Sequence, residues 1–184
     1  MLIAHLLEPQ YIATMFHHIA NNSVELLRNG GEYFPALIAE IDGAKRSVWL
    51  ETYIFADDDT GHKIAAALMA AAARGVAVRV VVDGFGSAGY LRKLSPLLRE
   101  RGVQLAVFRP ETSRFLMRRS RLRRMHRKLA LIDGSVAFCG GINVIDDFNV
   151  AGYANPESFA ARFDFAVRIE GDLANEIGNT MLQL

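Results

Sequence analysis

Two apolar runs separated by one helix-length segment constrain the fold of this 184-residue chain most strongly. Residues 47–55, SVWLETYIF, and residues 76–84, VAVRVVVDG, are almost continuously apolar, as strands buried on both faces of a sheet are. Residues 60–74 between them are typical of a helix, with Thr60 as its cap and Gly75 as its end. Strand, helix and strand in this order predict an α/β domain.

The neighbouring segments continue the alternation of strands and helices. The spacing of apolar residues predicts an amphipathic helix over residues 32–44 and a partly helical segment over residues 90–101, where Pro96 breaks or restarts the helix. Further strands are predicted at residues 23–28, 103–108 and 162–171, and a final helix is predicted from Asp172. We therefore expect a mixed, mainly parallel sheet that is flanked by helices.

Length and composition fit a single domain, since 184 residues that are 51% hydrophobic can bury a substantial core. We expect an N-terminal extension over residues 1–22 and one domain over residues 23–184. The apolar stripe at the end of the chain has no cap, which favours truncation at the C-terminus. Residues 1–20 lack both an unbroken membrane-spanning run and the features of a signal peptide. Cys139 is the only cysteine, which excludes an internal disulfide and favours a reducing compartment and a position in the core.

Basic residues are concentrated in one part of the chain, although the net charge is only +1. No acidic residue lies between Glu111 and Asp133. Such a run predicts a polyanionic partner, which could be phosphate, nucleic acid or an acidic membrane surface. The basic residues of this run are Arg114, Arg118, Arg119, Arg121, Arg123, Arg124, Arg127 and Lys128.

Within the segment RRMHRKLALIDGSVAFCGGIN, residues 123–143, a histidine and a lysine interrupt a pattern of core strands. Strands are predicted at residues 125–132 and 135–139, and the Asp-Gly pair between them is a hairpin signal. His126 and Lys128 share a strand face and lie about 6.6 Å apart, from ~3.3 Å per residue. An imidazole can attack phosphorus, and an ammonium can hold the phosphoryl oxygens as negative charge develops.

Several other residues could belong to the same site. Gly141 would let a ligand approach the backbone, and the Asn143 amide can donate to a phosphoryl oxygen. Arg124 belongs to the arginines that flank this phosphate site. Glu51 interrupts an apolar strand, where it either lines the pocket or forms a buried pair with an arginine such as Arg79.

The loop DGFGS, residues 83–87, follows a predicted strand, and ligands of α/β proteins often bind at such strand ends. The acidic residues 57–59 do not have calcium-loop spacing and are interpreted as the polar approach to a helix. The sequence contains no metal-ligand cluster, and we expect neither a metal nor a cofactor.

The motif HRKLALID, residues 126–133, fits the pattern H-x-K-x4-D, and GSVAFCGGIN, residues 134–143, fits the tail that follows it in the phospholipase D superfamily. From about residue 23 onward the chain resembles bacterial cardiolipin synthases, most of all those of the B type. The resemblance extends to residues 24–61, residues 74–87 and residues 164–171. It implies a phospholipase D-like half-domain.

The resemblance also implies roles for individual residues. His126 would be the nucleophile that forms a phosphohistidine, and Lys128 and Asn143 would bind phosphoryl oxygens. Asp133 would complete the catalytic motif in a structural or orienting role, although a plain turn aspartate is an equal alternative. Asp164 would hydrogen-bond the imidazole, and a pair with an arginine is its alternative. Many family members have a serine at the position of Gly141, and the family requires no metal.

Cardiolipin synthases carry two such motifs, whereas this sequence contains one. The second motif supplies a general acid, which is typically worth ~10²–10⁴ in rate. The chain is therefore either one subunit of a homodimer or a fragment that lacks its other half.

The implied function is transfer of a phosphatidyl group from phosphatidylglycerol to a second phosphatidylglycerol, with release of glycerol. Peripheral binding to anionic lipid at the cytoplasmic face of a bacterial inner membrane is expected. Two alternatives stay open: a homodimeric single-motif hydrolase that acts on lipid or nucleic acid, and an inactive fragment.

Overall fold

The computed structural model describes residues 21–110, 124–149 and 161–183, and the predictions for residues 1–20, 111–123 and 150–160 lie outside these ranges. The described residues form one seven-stranded sheet with helices on both faces. The elements are β1 (Ser23–Arg28), α1 (Asn29–Gly43), β2 (Ser47–Thr52), α2 (Asp59–Ala73), β3 (Ala77–Asp83), α3 (Ala88–Glu100), β4 (Gln104–Phe108), β5 (Leu129–Ile132), β6 (Val136–Gly140), β7 (Phe165–Glu170) and α4 (Asp172–Met181).

The sheet is mixed, with strand order β1-β7-β6-β5-β2-β3-β4, which confirms the predicted α/β class. Strands β2, β3 and β4 are parallel, whereas the other four neighbouring pairs are antiparallel. The expectation of a mainly parallel sheet is therefore wrong. Strand–helix alternation extends only through β4, after which β5 and β6 form a hairpin and β7 and β1 add to it in antiparallel fashion.

Helices α1, α2 and α3 cover one face of the sheet, and their apolar side chains form the main core with that face. Leu37 of α1, Leu68 of α2 and Leu94 of α3 are fully buried against Val80 and the other core residues of the strands. Helix α4 covers β5, β6 and β7 on the other face. None of the described helices combines the length and the apolar character that a membrane crossing requires.

Two helices differ in detail from the prediction. The cap of α2 is Asp58, whose Oδ1 accepts a hydrogen bond of 2.8 Å from the Gly61 amide, and Thr60 lies in the first turn instead. Helix α3 continues through Pro96 without a break. The fully buried Leu94 and Leu98 outweigh the one backbone hydrogen bond that the proline removes.

Candidate active site

One edge of the sheet brings together the residues that the sequence singled out. Strands β2 and β3 end at this edge, with Thr52 and Asp83, and strand β5 begins there, with Leu129. The register confirms the arrangement, because Leu129 pairs with Glu51 on one side and with Cys139 on the other. Residues 124–128 run up to this edge just before β5 begins, so their side chains lie beyond the hydrogen-bonded ladder.

His126 and Lys128 converge at this edge. The Lys128 Nζ lies 3.0 Å from the His126 Nδ1 and donates a hydrogen bond of 2.9 Å to the backbone oxygen of His126. Lys128 is only 5% exposed, whereas His126 is exposed to solvent. An incoming phosphate can therefore reach the imidazole and would meet a positive charge that is already held in place.

The protons of these two groups are coupled, because the ammonium faces one ring nitrogen of the imidazole. Within the described residues the other ring nitrogen, Nε2, has no hydrogen-bond partner. An ammonium can only donate, so in this contact Nδ1 is the acceptor and the ring proton resides on Nε2. For Nε2 to attack phosphorus, that proton must move to Nδ1 and the contact between Lys128 and Nδ1 must open. Burial lowers the pKa of Lys128, and the negative charge of Asp164 opposes that shift. The same acid is therefore positioned to keep Lys128 charged.

The ring of Tyr53 packs against both groups. Its centroid lies 5.1 Å from that of the His126 ring at an interplanar angle of 47°, and 5.5 Å from the Lys128 Nζ. Sequence reasoning missed this residue. The available signal was its position directly after β2, at the strand end where ligands bind.

Asn143 and Gly141 follow β6 and lie beside the same edge. The Asn143 Oδ1 accepts a hydrogen bond of 3.0 Å from the Ile54 amide, which turns the amino group of Asn143 away from that contact and leaves it as a donor. The Gly141 amide donates to the Phe165 oxygen at 2.9 Å and is not available to a ligand. The space beside Gly141 is occupied by the Asp164 carboxylate, so the structure does not support the predicted approach of a ligand there. A side chain at Gly141 would collide with the carboxylate of Asp164.

Asp164 is fixed in place by Asn29, the first residue of helix α1. Its amide donates to the Asn29 Oδ1 at 3.0 Å, and its oxygen accepts from the Asn29 amide at 2.8 Å. Its Oδ1 accepts from the Phe165 amide at 2.8 Å. In the described ranges no hydrogen bond joins Asp164 to His126, so the structure does not show the predicted contact with the imidazole. Asp164 instead acts electrostatically on Lys128.

Arg127, between the two candidate catalytic residues, is anchored on the other side of the segment. Its Nε lies 2.8 Å from the Glu51 Oε2, and its Nη2 donates to the Glu51 Oε1 at 3.1 Å. Glu51 is 0% exposed, and burial raises its pKa while Arg127 opposes the shift. The prediction of a buried pair holds, but the partner is not Arg79, whose guanidinium lies over Trp49 at 5.8 Å.

The loop after β3 fixes the start of the same segment through Asp83, a site residue that sequence reasoning did not name individually. This fully buried carboxylate accepts hydrogen bonds from the amides of Phe85 and Gly86 with one oxygen and from the amide of Met125 with the other. Arg124 lies over the Phe85 ring at 4.6 Å. The expected loop at the strand end therefore positions the segment that carries His126, and it places Arg124 at the same edge.

Comparison with known proteins agrees with this geometry. The family model described as "Cardiolipin synthase, PLD-like domain" matches residues 37–158. The chain belongs to this family. Cardiolipin synthase B of Escherichia coli K12 is 40% identical over 156 residues, which are 85% of this chain and 37% of that protein. The major cardiolipin synthase ClsA of Bacillus subtilis is 35% identical over 170 residues, which are 91% of this chain and 34% of that protein.

The chain thus spans little more than a third of the length of these curated relatives. Two solved structures, one of them described as a phospholipase D family member, share its fold over nearly their whole length. Nuc from Salmonella typhimurium aligns with a TM-score of 0.60 at 23% identity, over 88% of this chain and 90% of that chain. NucT from Helicobacter pylori aligns with a TM-score of 0.60 at 20% identity, over 88% and 94%.

Asp133, the last residue of the family motif, lies at the opposite end of β5 from His126 and Lys128. It has a positive φ of 51° in the hairpin turn, and its carboxylate accepts hydrogen bonds from the amides of Lys45, Arg46 and Ser47 at 2.7–2.8 Å. The structure does not bring Asp133 into the site. Its contacts support the structural reading of this residue, because they hold the chain that enters β2.

Replacing Asp133 with asparagine is expected to lower the free energy of unfolding by about 1–3 kcal/mol at neutral pH, because an amide accepts fewer of these hydrogen bonds. Burial raises the pKa of Asp133, but the three backbone amides outweigh it, so its pKa lies below the ordinary 3.8. The stabilisation is therefore fully present above pH 3.8 and is lost as the pH falls through the folded-state value. Urea denaturation at several pH values measures this effect, and a variant difference that persists unchanged into strong acid would contradict it.

Replacing Lys128 with methionine is expected to raise the free energy of unfolding by about 0.5–2 kcal/mol, because functional sites carry groups that cost stability. Because the pKa of Lys128 is lowered in the fold, wild-type stability rises in alkali as this lysine loses its proton, and the advantage of methionine shrinks there. The exposed Lys63 gives the matched control, and its replacement by methionine should change little. Denaturant titrations compare the three proteins, and a less stable Lys128 variant would refute the expectation.

Proposed function

We propose that this chain supplies the nucleophilic half of a phosphatidyltransferase active site that forms cardiolipin from phosphatidylglycerol. The observation that carries the proposal is the exposed imidazole of His126, which lies 3.0 Å from the buried ammonium of Lys128. The pair sits at an open sheet edge in a chain that belongs to the cardiolipin synthase family. The names of its relatives supply the substrate class.

The proposed reaction has two displacement steps at phosphorus. A nitrogen of His126 attacks the phosphodiester of phosphatidylglycerol, the bond from phosphorus to the glycerol oxygen breaks, and glycerol leaves after taking up a proton. A hydroxyl of a second phosphatidylglycerol then attacks the phosphohistidine, loses its proton and displaces the imidazole. Lys128 and the amino group of Asn143 neutralise the phosphoryl oxygens in both steps.

The proton that glycerol takes up requires a general acid from outside the motif described here. The sequence contains one H-x-K-x4-D motif, and the described residues place one imidazole at the site. We assign the general acid to a second half with the same motif, either a second copy of this chain or a partner half. Such a group accounts for ~10²–10⁴ in rate, so an isolated half should turn over natural lipid slowly.

The test removes the need for that acid. A phosphatidyl ester of p-nitrophenol carries a leaving group that departs as a stable anion, so His126 alone should release one nitrophenolate per chain and retain the phosphatidyl group. Release is followed by absorbance, and the adduct is detected by intact mass spectrometry after an alkaline quench. Absence of both signals, with a folded protein and accessible vesicles, would overturn the assignment of His126 as the nucleophile.

A single-motif hydrolase is the second candidate, favoured by the close match in length to Nuc and NucT. In that case water replaces the second lipid, and nucleic acid is a possible substrate. Incubation with phosphatidylglycerol vesicles and with supercoiled plasmid in parallel separates the two. Nicked plasmid with unchanged lipid would favour the hydrolase, whereas cardiolipin formation with intact plasmid would favour the transferase.

Peripheral binding to anionic lipid at the cytoplasmic face of a bacterial membrane is part of the proposal. Each basic residue near such a surface contributes about 1 kcal/mol, and the run from Arg114 to Arg124 contains six basic residues and no acid. We expect sedimentation with phosphatidylglycerol vesicles at low salt and release at high salt. Equal binding to neutral and anionic vesicles at both salt concentrations would contradict this expectation.

A further inference from the structure

Tyr53 occupies a position that no motif marks. It follows the last residue of β2, and its half-buried ring contacts the two candidate catalytic groups from one side. The ring centroid lies 5.1 Å from that of the His126 imidazole and 5.5 Å from the Lys128 Nζ. A single aromatic face thus spans both side chains of the H-x-K pair.

The ring of Tyr53 is held by elements other than the catalytic segment. Its backbone oxygen accepts a hydrogen bond of 3.0 Å from the Ser87 Oγ, and the same Oγ accepts one of 3.0 Å from the Phe55 amide. Gly86 lies close to the ring, since a Cβ at that position would be only 2.9 Å from the Tyr53 Cε2. The loop after β3 therefore fixes the aromatic ring before any ligand arrives.

The need for such support follows from the burial of Lys128. Its ammonium is almost fully removed from water, and within the described residues its hydrogen bonds are those to the backbone oxygen and ring nitrogen of His126. An aromatic face attracts a cation by about 0.5–2 kcal/mol, more when the cation is desolvated. The tilted contact with the Tyr53 ring also restricts the rotation of the exposed imidazole, whose other ring nitrogen has no hydrogen-bond partner among the described residues.

We infer that Tyr53 is a positioning residue of this site. Its ring restricts the orientation of the His126 imidazole and stabilises the charged form of the neighbouring Lys128 ammonium. The hydroxyl of Tyr53 has no part in this role. The inference rests on the proposed function, because it presumes that the H-x-K pair attacks a phosphodiester. The mobility of the His126 imidazole and the ionisation of the Lys128 ammonium, however, can be measured without turnover.

The experiment compares Tyr53→Phe, which keeps the ring, with Tyr53→Leu, which removes it. Nitrophenolate release from the phosphatidyl ester should stay within about twofold of wild type in Tyr53→Phe and fall about tenfold in Tyr53→Leu. The alkaline limb of the pH–rate profile should move to lower pH in Tyr53→Leu only, because the ammonium there loses its aromatic partner. Tyr53→Met serves as a second ring-free variant if Tyr53→Leu does not fold.

A second readout separates this inference from the proposed function. Carbon-13 NMR titration of Lys128 should show a lower pKa in the ring-free variant than in wild type and in Tyr53→Phe, whether or not the protein turns over substrate. Equal losses of activity in Tyr53→Phe and Tyr53→Leu would assign the role to the hydroxyl and overturn the inference. An unchanged Lys128 titration in the folded ring-free variant would overturn it as well.

Discussion

Replacing His126 with asparagine is expected to abolish formation of the covalent phosphatidyl adduct and to reduce nitrophenolate release by at least about 10³-fold, since loss of a nucleophile is among the largest catalytic effects known. The side chain of His126 is exposed and lies outside the sheet ladder, so the substitution leaves the core untouched. Stopped absorbance assays and intact mass spectrometry measure the two signals.

His62 provides the matched control for this experiment. It lies on helix α2 and is also exposed, but its Nε2 pairs with Asp57 at 2.9 Å. It belongs to no H-x-K-x4-D motif. His62→Asn should therefore react like wild type. An adduct that still forms in the folded His126 variant would place the nucleophile elsewhere.

Replacing Arg127 with methionine is expected to lower the free energy of unfolding by about 3–5 kcal/mol, because it leaves the fully buried Glu51 carboxylate without its partner. The substitution should also lower activity, since Arg127 anchors the backbone between His126 and Lys128. Chemical denaturation measures the first effect, and nitrophenolate release by the folded fraction measures the second.

The pH dependence and a double variant test the cause of that loss. Burial already raises the pKa of Glu51, and removal of Arg127 should raise it further, so the loss relative to wild type should grow as the pH rises through the wild-type folded-state pKa, which lies above the ordinary value of 4.5. The double variant Glu51→Leu with Arg127→Met should recover most of the stability, as buried ion pairs replaced by apolar side chains often do. A double variant no more stable than Arg127→Met would point to another cause.

The hairpin shows how far local sequence determines this structure. Asp133 and Gly134 both have positive φ, 51° and 72°, as the two-residue turn predicted from their sequence requires. The predicted strand, however, begins at Leu129 and not at Met125. Strand β2 ends at Thr52, which stands opposite Lys128 in this register, so residues before Lys128 have no residue of β2 to pair with, and this fact depends on tertiary structure alone.

The candidate site likewise combines contacts that local sequence predicts with contacts that depend on tertiary structure. The proximity of His126 and Lys128 follows from two-residue spacing, which local geometry fixes. Tyr53, Asp83 and Glu51 reach the segment through strand order, because β2 lies between β5 and β3. No periodicity within the segment reveals that order, which explains why Tyr53 was missed and why Arg79, not Arg127, was named as an example of an arginine partner for Glu51.

The position of β1 bears on how the protein is made. Its neighbour in the sheet is β7, near the other end of the described chain, and Asn29 and Asp164 exchange backbone and side-chain hydrogen bonds where these strands meet. During synthesis on the ribosome, the first strand therefore emerges long before its partner, and contacts so distant in sequence form slowly. Asp164, whose carboxylate acts on Lys128, lies where β1 and β7 meet. We therefore expect the nascent polypeptide to complete the electrostatic environment of Lys128 only when β1 and β7 pair.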